Sequence, residues 1–300
     1  MVLICPHCQK AHSIDKNKIP EGVTKVRCKE CKKEFPLERD SGASEQKKGT
    51  RKIAVALSKG GVGKTTTAVN LSAGLALAGY KVLLIDTDTQ GQATFMLGVR
   101  PQAGLTEYVN GELEFEECVC KARDNLWLLS GGKSISGLKR VIERKEFGGE
   151  MTLAENLSRI ESKFDFIILD TSPGWDQIVV NVLFYATEVL ATVSLEVMTL
   201  QSLVEFSKNI TSIQKYNKDL TLRYILPTQF DKRVKNSQGI LDKLVELYGP
   251  NVCTPIRYNV RVPEAPSKGQ TIYEFAPGSK GTHDYRELIR KVTGNDKLFT

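Results

Sequence analysis

The chain has 300 residues, of which 41% are hydrophobic, and a formal net charge of +7. This length and composition are typical of a folded protein with one large domain and a small appendage. The sequence has no run of about 18 apolar residues and no basic segment leading into a long apolar run at its N-terminus, which excludes a membrane-spanning helix and a secretory signal. We therefore expect a cytoplasmic protein.

The positive charge is unevenly distributed along the chain. Residues 1–50 contain 11 basic and 7 acidic side chains, residues 51–200 contain 15 and 18, and residues 201–300 contain 16 and 10. An excess of this kind in the last third favours a basic surface that contacts a polyanion, although a solvated charged surface explains most single runs of lysine.

Four cysteines occur in two pairs near the N-terminus, Cys5-Pro-His-Cys8 and Cys28-Lys-Glu-Cys31, with nineteen residues between the pairs. Two such pairs, each on a tight turn, are typical of a tetrahedral Zn²⁺ site with four thiolate ligands. A segment of about forty residues is too small for an adequate hydrophobic core, so the metal would supply much of its folding free energy. We predict a zinc ribbon over residues 1–38.

Disulfide bonds between these cysteines are disfavoured in the cytoplasm. His7 and His12 are alternative ligands, but four well-spaced cysteines do not require them. Residues 39–50 are small and polar without apolar periodicity, and they predict a flexible linker. The charge of the ribbon does not decide whether it contacts nucleic acid or a protein, because four thiolates around Zn²⁺ offset part of its positive charge.

A glycine-rich segment, Lys59-Gly-Gly-Val-Gly-Lys-Thr-Thr66, follows the apolar run 53–57. Its glycines let the backbone turn tightly and point N–H groups at phosphate oxygens, and the following helix offers its positive N-terminal end. In such a P-loop the lysine, here Lys64, contacts the β- and γ-phosphates, and the hydroxyl of Thr65 ligates Mg²⁺. Lys59 adds a second cation. The predicted nucleotide-binding residues of this loop are Gly60, Gly61, Val62, Gly63, Lys64, Thr65 and Thr66.

Short apolar runs alternate with helical patterns through the rest of the chain. The runs cover residues 53–57, 82–85, 166–169, 189–193 and 222–226, and the helical patterns include 65–79, 176–186, 199–216 and 236–248. This alternation predicts an α/β fold with a mostly parallel sheet flanked by helices on both faces. We predict a P-loop NTPase domain over residues 51–300, preceded by the small zinc ribbon.

Three polar loops, namely the P-loop, residues 86–91 and residues 170–174, each follow an apolar strand. Ligands of parallel sheets bind beyond the carboxyl ends of the strands, so we expect these loops to converge on one nucleotide. Asp170 is the expected Walker-B carboxylate, which contacts Mg²⁺ directly or through a water. Asp86 and Asp88 point the same way if the chain is extended, although such a pair is also common at the start of a helix.

These motifs resemble the ParA/MinD branch of P-loop ATPases, whose loop is written KGGVGKTT and has a lysine at the position of Lys59. Residues 83–94 are similar to the family's LLVDLDPQGNAT segment, and residues 166–173 to its IIIDCPP segment. Residues 259–269 resemble NVRLSEAPSHG, which is typical of ParA/Soj partition ATPases. The resemblance covers residues 51–293, but Thr89 and the pair Arg257-Tyr258 stand where the family has Pro and Pro-Arg.

The resemblance implies an ATPase that forms a homodimer with ATP and Mg²⁺, in which Lys59 of each subunit contacts the partner's phosphates. It also implies that Asp88 orients the attacking water, that Asp86 supports the metal shell, and that Pro227 and Thr228 form part of the adenine-side wall. The expected catalytic residues are Lys59, Lys64 and Asp88, and the expected Mg²⁺ ligands are Thr65, Asp86 and Asp170.

The resemblance further implies that the dimer associates with the nucleoid by binding DNA without sequence preference. A ParB-like or other cargo adaptor would stimulate ATP hydrolysis and release the dimer, so that a plasmid, a chromosome origin or a protein assembly is partitioned or positioned. Lysine and arginine contacts to phosphates suffice for such binding. The candidate residues are Lys232, Arg233, Lys235, Arg257, Arg261, Lys268 and Lys280.

Two alternatives stay open at this point. A MinD-like regulator that cycles on a membrane would use a C-terminal amphipathic helix, but residues 291–300 lack an apolar stripe, so we expect no stable membrane association. A redox or metallo-ATPase would use the four N-terminal cysteines in chemistry, whereas their ribbon spacing favours a structural Zn²⁺ site.

Overall fold

The structure is a computed structural model that describes residues 2–4, 11–13, 25–36 and 49–299. The chain divides into two compact units, residues 1–48 and 49–300, and each is described by itself. Cys5, Cys8 and most of the predicted linker, residues 39–48, lie outside the described residues.

The N-terminal unit contains two antiparallel pairs of short strands. Cys28 and Cys31 lie on the turn between the two strands of the second pair, where Lys32 adopts a left-handed conformation with φ of 61°. The Cys28 N–H donates to the carbonyl of Lys33 at 2.9 Å, and Val26 packs against the buried Cys28 side chain. The strands are β1 (Val2–Ile4), β2 (Ala11–Ser13), β3 (Lys25–Arg27) and β4 (Glu34–Pro36).

The second unit is built on a seven-stranded sheet in the order β11-β10-β5-β9-β6-β8-β7. Every neighbouring pair is parallel except the last, in which β7 runs antiparallel to β8. The strands are β5 (Arg51–Val55), β6 (Val82–Asp86), β7 (Val119–Arg123), β8 (Leu126–Leu129), β9 (Phe166–Asp170), β10 (Glu188–Ser194) and β11 (Thr221–Thr228).

Helices cover both faces of this sheet. They are α1 (Lys64–Leu77), α2 (Gln92–Leu97), α3 (Leu105–Val109), α4 (Phe115–Cys118), α5 (Ile135–Arg144), α6 (Thr152–Leu157), α7 (Gln177–Tyr185), α8 (Val197–Ile213), α9 (Lys235–Tyr248), α10 (Arg261–Glu264), α11 (Ile272–Phe275) and α12 (Lys280–Thr293). Among the described residues, none of the helices has both the length and the apolar composition needed to cross a membrane.

The central strands contribute side chains to two hydrophobic cores, because successive side chains of a strand point to opposite faces of the sheet. In β6, Leu83 and Ile85 join the core under α3 to α9, whereas Val82 and Leu84 join the core under α1, α2, α11 and α12. All five side chains of β6 and of β9 are buried. Burial on both faces explains why these strands are almost continuously apolar, and it confirms the predicted fold class.

In the second unit, the sequence pattern located five strands and four helices but not β7, β8 or the other helices. Four of the five apolar runs lie within a strand of the sheet, and the run 53–57 extends two residues past the end of β5. Each of the four helical patterns corresponds to a helix whose ends differ from the prediction by up to three residues. Helix α1 ends at Leu77, two residues before Gly79 with φ of 92°. The antiparallel pair β7 and β8 was not predicted, because its short strands at the edge of the sheet lack a long apolar run.

Candidate nucleotide-binding site

The glycine-rich loop connects β5 to α1 at the carboxyl edge of the sheet. Gly61 and Gly63 have φ of 74° and 84°, a backbone region that side chains with a Cβ atom rarely adopt. Gly63 immediately precedes the first residue of α1, so the N-terminal N–H groups of the helix open toward the loop. The local conformation is therefore that of a phosphate-binding loop.

A cavity of about 530 Å³ lies above this loop. Its walls include residues 60, 61 and 63–66 of the P-loop together with residues 88–90 after β6 and residues 171–173 after β9, so the three predicted loops converge. Val62, which we predicted to bind nucleotide, is instead buried in the hydrophobic core. Lys139, Asp176 and Gln229 also line it. The Lys139 ammonium donates to Asp176 at 2.6 Å, and the Gln229 side-chain amide donates to the carbonyl of Gly61 at 3.1 Å.

Lys64 is buried at the floor of this cavity, and only 6% of its surface is exposed. Its ammonium donates to the carbonyl of Lys59 at 2.8 Å. Burial lowers the pKa of Lys64 from its ordinary value, and the negative charges of Asp170 and Asp88 oppose that shift. A phosphate group in the cavity would be a stronger acceptor for this ammonium than a neutral carbonyl.

Asp170 ends β9, and its Cα lies opposite that of Asp86 at the end of β6. The side chain is completely buried, and neither carboxylate oxygen lies within hydrogen-bond distance of a partner among the described residues, although the Thr65 hydroxyl is close enough to lower the pKa of Asp170. Burial raises the pKa of Asp170 well above its ordinary value, and the nearby Asp86 adds to this rise. A buried carboxylate without partners is costly unless a cation offsets its charge, so these residues fit a hard divalent ion such as Mg²⁺.

The Asp86 carboxylate also stabilises the loop that follows it, which the sequence did not reveal. Its two oxygens accept the backbone N–H groups of Asp88 at 2.9 Å and Ala93 at 3.1 Å, so the carboxylate holds the loop between β6 and α2. Burial raises the pKa of Asp86 to about 6 despite these two hydrogen bonds. Asp88 lies at the wall of the cavity, where its Oδ1 accepts the N–H of Gln90 at 3.0 Å.

Lys59, the additional lysine of the loop, points away from Lys64. Its ammonium donates to Glu196 Oε2 at 2.7 Å and to Thr199 Oγ1 at 2.9 Å. Glu196 is the residue before α8, and Thr199 belongs to the first turn of that helix. Sequence reasoning did not single out either residue, because the contact joins positions separated by about 140 residues.

A second cavity of about 240 Å³ adjoins the first near Gly63. Thr228 lines it, and the Thr228 hydroxyl donates to the carbonyl of Val62 at 3.0 Å, which ties β11 to the P-loop. Pro227 does not line this cavity, but its carbonyl accepts the N–H of Ile256 at 2.9 Å and so positions the opposite wall.

The structure brings part of the predicted basic set together beside this second cavity. Phe230 and Arg257 pair as an isolated bridge, which places the loop containing Lys232 next to the segment that follows Ile256. Arg257 donates to the buried Asp284 and is thereby held in the protein. Lys232, Lys268 and Lys280 are exposed, whereas Arg233 pairs with Asp231 and Arg261 pairs with Glu264. The Lys235 side chain lies outside the described residues.

The predicted zinc site is described only in part. Cys28 and Cys31 share one tight turn, as the two cysteines of a Cys-x-x-Cys pair in a zinc ribbon do. The described residues, which leave out Cys5 and Cys8, contain no group of three or more His, Cys, Asp and Glu side chains placed to hold a metal ion.

Each of the two units matches a family of known proteins. Residues 50–222 match a family of AAA domains, and residues 1–36 match a family of zinc-ribbon domains. The chain is 37% identical over 244 residues to the chromosome-partitioning ATPase Soj of Thermus thermophilus, which covers 81% of this chain and 95% of that protein. It is 32% identical over 250 residues to the sporulation initiation inhibitor protein Soj of Bacillus subtilis, covering 81% and 98%.

Solved structures share the fold. Cobyrinic acid a,c-diamide synthase of Mycobacterium smegmatis with bound ADP and magnesium is 29% identical, with a TM-score of 0.70 over 83% of this chain and 97% of that one. Cyanothece McdA in complex with ATP has a TM-score of 0.73 at 24% identity, covering 84% and 99%. The matches to the two Soj proteins extend over 95% and 98% of those proteins at 37% and 32% identity. This chain therefore belongs to the ParA/Soj/MinD family of P-loop ATPases.

Proposed function

We propose that this protein is an ATPase that dimerises on binding ATP, binds DNA without sequence preference, and partitions or positions a cargo. A cargo adaptor, ParB-like or of another kind, stimulates hydrolysis and so releases the dimer. The observation that carries the proposal is the presence of two differently directed lysines on one phosphate-binding loop. Lys64 lines the cavity of its own subunit, whereas Lys59 does not line it and keeps 29% of its side-chain surface exposed.

In this proposal the P-loop backbone and Lys64 hold the phosphates of ATP, and Thr228 lies on the side of the base. Thr65, Asp86 and Asp170 hold Mg²⁺, which would neutralise phosphate charge. Asp88 orients the attacking water from the wall of the cavity. The unpartnered Asp170 oxygens support the metal assignment, because a buried carboxylate of this kind needs a compensating cation.

Dimerisation follows from the position of Lys59. An ATP molecule in one subunit presents negative charge that repels a second loaded subunit unless cations cross the interface. Lys59 of each subunit supplies that cation and stabilises charge that develops during hydrolysis, in the manner of an arginine finger. The bound nucleotide thereby determines whether the protein is a monomer or a dimer, and slow hydrolysis limits the lifetime of the dimer.

DNA binding is proposed for the basic surface around Lys232 and Lys280, with Lys268, Arg233, Arg261 and Lys235 as further candidates. Arg257 contributes least, because its guanidinium is held by Asp284. Each subunit supplies only a few phosphate contacts, so a dimer binds far more tightly than a monomer. The likeness to chromosome-partitioning Soj proteins supports this reading.

We expect DNA binding to require ATP and Mg²⁺ and to weaken steeply with salt. If the dimer neutralises about six phosphates, its affinity should fall on the order of 10³-fold between 50 and 200 mM salt, because each contact releases condensed counterions. Fluorescence anisotropy with two unrelated duplexes measures both the slope and the lack of sequence preference.

A variant pair locates the surface. Lys232→Ala with Lys280→Ala should lower the affinity and flatten the salt slope. Lys215→Ala with Lys218→Ala makes the same change in charge near the opposite end of β11 and should alter neither. Binding without nucleotide that is lost only on deletion of residues 1–40 would assign DNA recognition to the zinc ribbon. Liposome association without DNA binding would instead support a membrane-cycling regulator.

The ribbon is proposed to bind Zn²⁺ through Cys5, Cys8, Cys28 and Cys31 and to fold independently of the ATPase unit. We expect Cys28→Ser, or zinc chelation, to unfold the ribbon while the thermal midpoint of the ATPase unit shifts by less than about 2 °C, because the small, polar residues 39–50 have few apolar side chains to couple the two units. Differential scanning calorimetry resolves this transition.

Cys253→Ser is the matched control. This thiol is buried in the core beneath α12, and the new hydroxyl would be desolvated there. The midpoint of the ATPase unit should fall by several degrees, in line with a cost of about 1–3 kcal/mol for a buried polar group. A fall of that size in the Cys28→Ser variant would show that the ribbon is part of the same cooperative unit.

A further inference from the structure

Lys59 is fully engaged within its own subunit. Besides its contacts with Glu196 and Thr199 at 2.7 and 2.9 Å, the Thr199 hydroxyl lies 2.9 Å from that of Ser194 at the end of β10. Thr199 is completely buried, so one of the two acceptors is rigidly placed, whereas the Glu196 side chain is 64% exposed. The ammonium is thus bound by one mobile charged acceptor and one fixed neutral acceptor.

The same residue is tied to the phosphate site through its backbone. The carbonyl of Lys59 accepts the Lys64 ammonium at 2.8 Å, so the side chain and the carbonyl of one residue join α8 to the floor of the cavity. A bound phosphate would draw the Lys64 ammonium away from that carbonyl, because a charged acceptor forms the stronger hydrogen bond. Occupation of the cavity thereby changes the constraints on Lys59.

The surface next to this contact is apolar and exposed. Val197 and Met198, the first residues of α8, are 53% and 64% exposed. Trp175 is 39% exposed and packs edge-on against Phe206 of the same helix, with ring centroids 6.0 Å apart. A second copy of this chain that brings its nucleotide to Lys59 would cover these side chains. The surface around Lys59 is consequently suited to self-association.

We propose that Glu196 and Thr199 are positioning residues that hold Lys59 in its own subunit until an ATP-loaded partner competes for it. The inference rests on the proposed ATP-dependent dimer and adds a step to it. Glu196 and Thr199 use two of the three N–H donors of the ammonium, so a lysine that crosses to the phosphates of a partner gives up these contacts in each subunit. The contact therefore opposes dimerisation of subunits and sets the concentration at which dimers form.

The expected effect of the Lys59–Glu196 contact on dimerisation is modest, because the Glu196 side chain is largely exposed. Ion pairs with an exposed partner change an equilibrium by a factor of about two to five, and a symmetric dimer must break two of them. Removing the Glu196 charge should therefore strengthen ATP-dependent dimerisation by roughly 4- to 25-fold. The ATP affinity of the isolated subunit should not change, because Glu196 does not line the nucleotide cavity.

The test compares Glu196→Gln with wild-type protein by sedimentation equilibrium, using a non-hydrolysable ATP analogue and Mg²⁺. Glu205→Gln is the matched control, since Glu205 is an exposed carboxylate on the same helix and makes no ion pair with the residues that the structure describes. We expect a lower dimer dissociation constant for Glu196→Gln alone. In the Lys59→Ala background, Glu196→Gln should have no effect, because the ammonium that it releases is absent.

The outcomes separate the two proposals. Wild-type protein that stays monomeric with the analogue contradicts the proposed function. A wild-type protein that dimerises, together with a Glu196→Gln variant that dimerises equally or more weakly, overturns the positioning role and leaves a merely structural contact. Stronger dimerisation on adding Glu196→Gln in the Lys59→Ala background also overturns the positioning role, because Glu196 would then act on the interface directly.

Discussion

Replacing Lys64 with alanine is expected to lower ATP affinity by roughly 10²-fold or more, whereas replacing Lys59 should leave ATP affinity within about threefold and abolish ATP-dependent dimerisation. Lys64 is buried at the floor of the cavity, and each charge-assisted hydrogen bond that it makes to a phosphate is worth about 1.5–3 kcal/mol. Lys59 lies outside that cavity, bonded to Glu196 and Thr199. The two lysines should therefore have separable phenotypes.

Calorimetric titration with ATP measures the first effect, and sedimentation with ATP and Mg²⁺ measures the second. Lys81→Ala is the control for charge, because Lys81 is exposed at the opposite edge of the sheet, directly before β6. A Lys59→Ala protein that dimerises normally would remove the basis of the proposed switch. Loss of ATP binding in both variants would place the two lysines in one site of one subunit.

Replacing Asp88 with alanine is expected to preserve ATP binding and dimerisation while slowing hydrolysis on the order of 10²-fold or more. A group that orients the attacking water acts mainly on the transition state, so its loss is felt in turnover. Asp88 lies at the wall of the cavity, and its Oδ1 already accepts the N–H of Gln90. The variant should accumulate as a dimer on DNA, because release depends on hydrolysis.

Steady-state phosphate release and DNA-bound lifetime are the measurements. Asp124→Ala, at a side chain that is 97% exposed between β7 and β8, should match wild-type protein in both. Asp170→Ala offers a contrast, since loss of a metal ligand should weaken Mg²⁺-dependent nucleotide binding itself. If Asp88→Ala loses binding and turnover in equal measure, Asp88 is a metal ligand or a structural residue.

The two aspartates that end β6 and β9 differ in the hydrogen bonds that their carboxylates make. Asp86 accepts two backbone N–H groups and orders its loop, whereas Asp170 has no hydrogen-bond partner among the described residues. Both are buried, and burial raises the pKa of each. Asp170 is therefore the stronger candidate for a direct contact with Mg²⁺, and Asp86 combines loop ordering with support of the metal shell.

The sequence by itself determined the fold class, the phosphate-binding loop and the convergence of three loops. These features are local: apolar runs mark strands buried on both faces, and the glycines of the loop permit the positive φ values found at Gly61 and Gly63. The general rule that parallel strands direct their carboxyl ends to one edge then places Asp88 and the residues after Asp170 above the same cavity.

Only the tertiary structure decided what Lys59 contacts and which basic residues lie together. Strand β10 lies beside β5 in the sheet, so the segment after β10, with Glu196 and Thr199, meets the P-loop that follows β5. The pairing of Phe230 with Arg257 likewise depends on where β11 ends. Contacts between positions more than a hundred residues apart depend on the order of strands in the sheet, and no local pattern of side chains specifies that order.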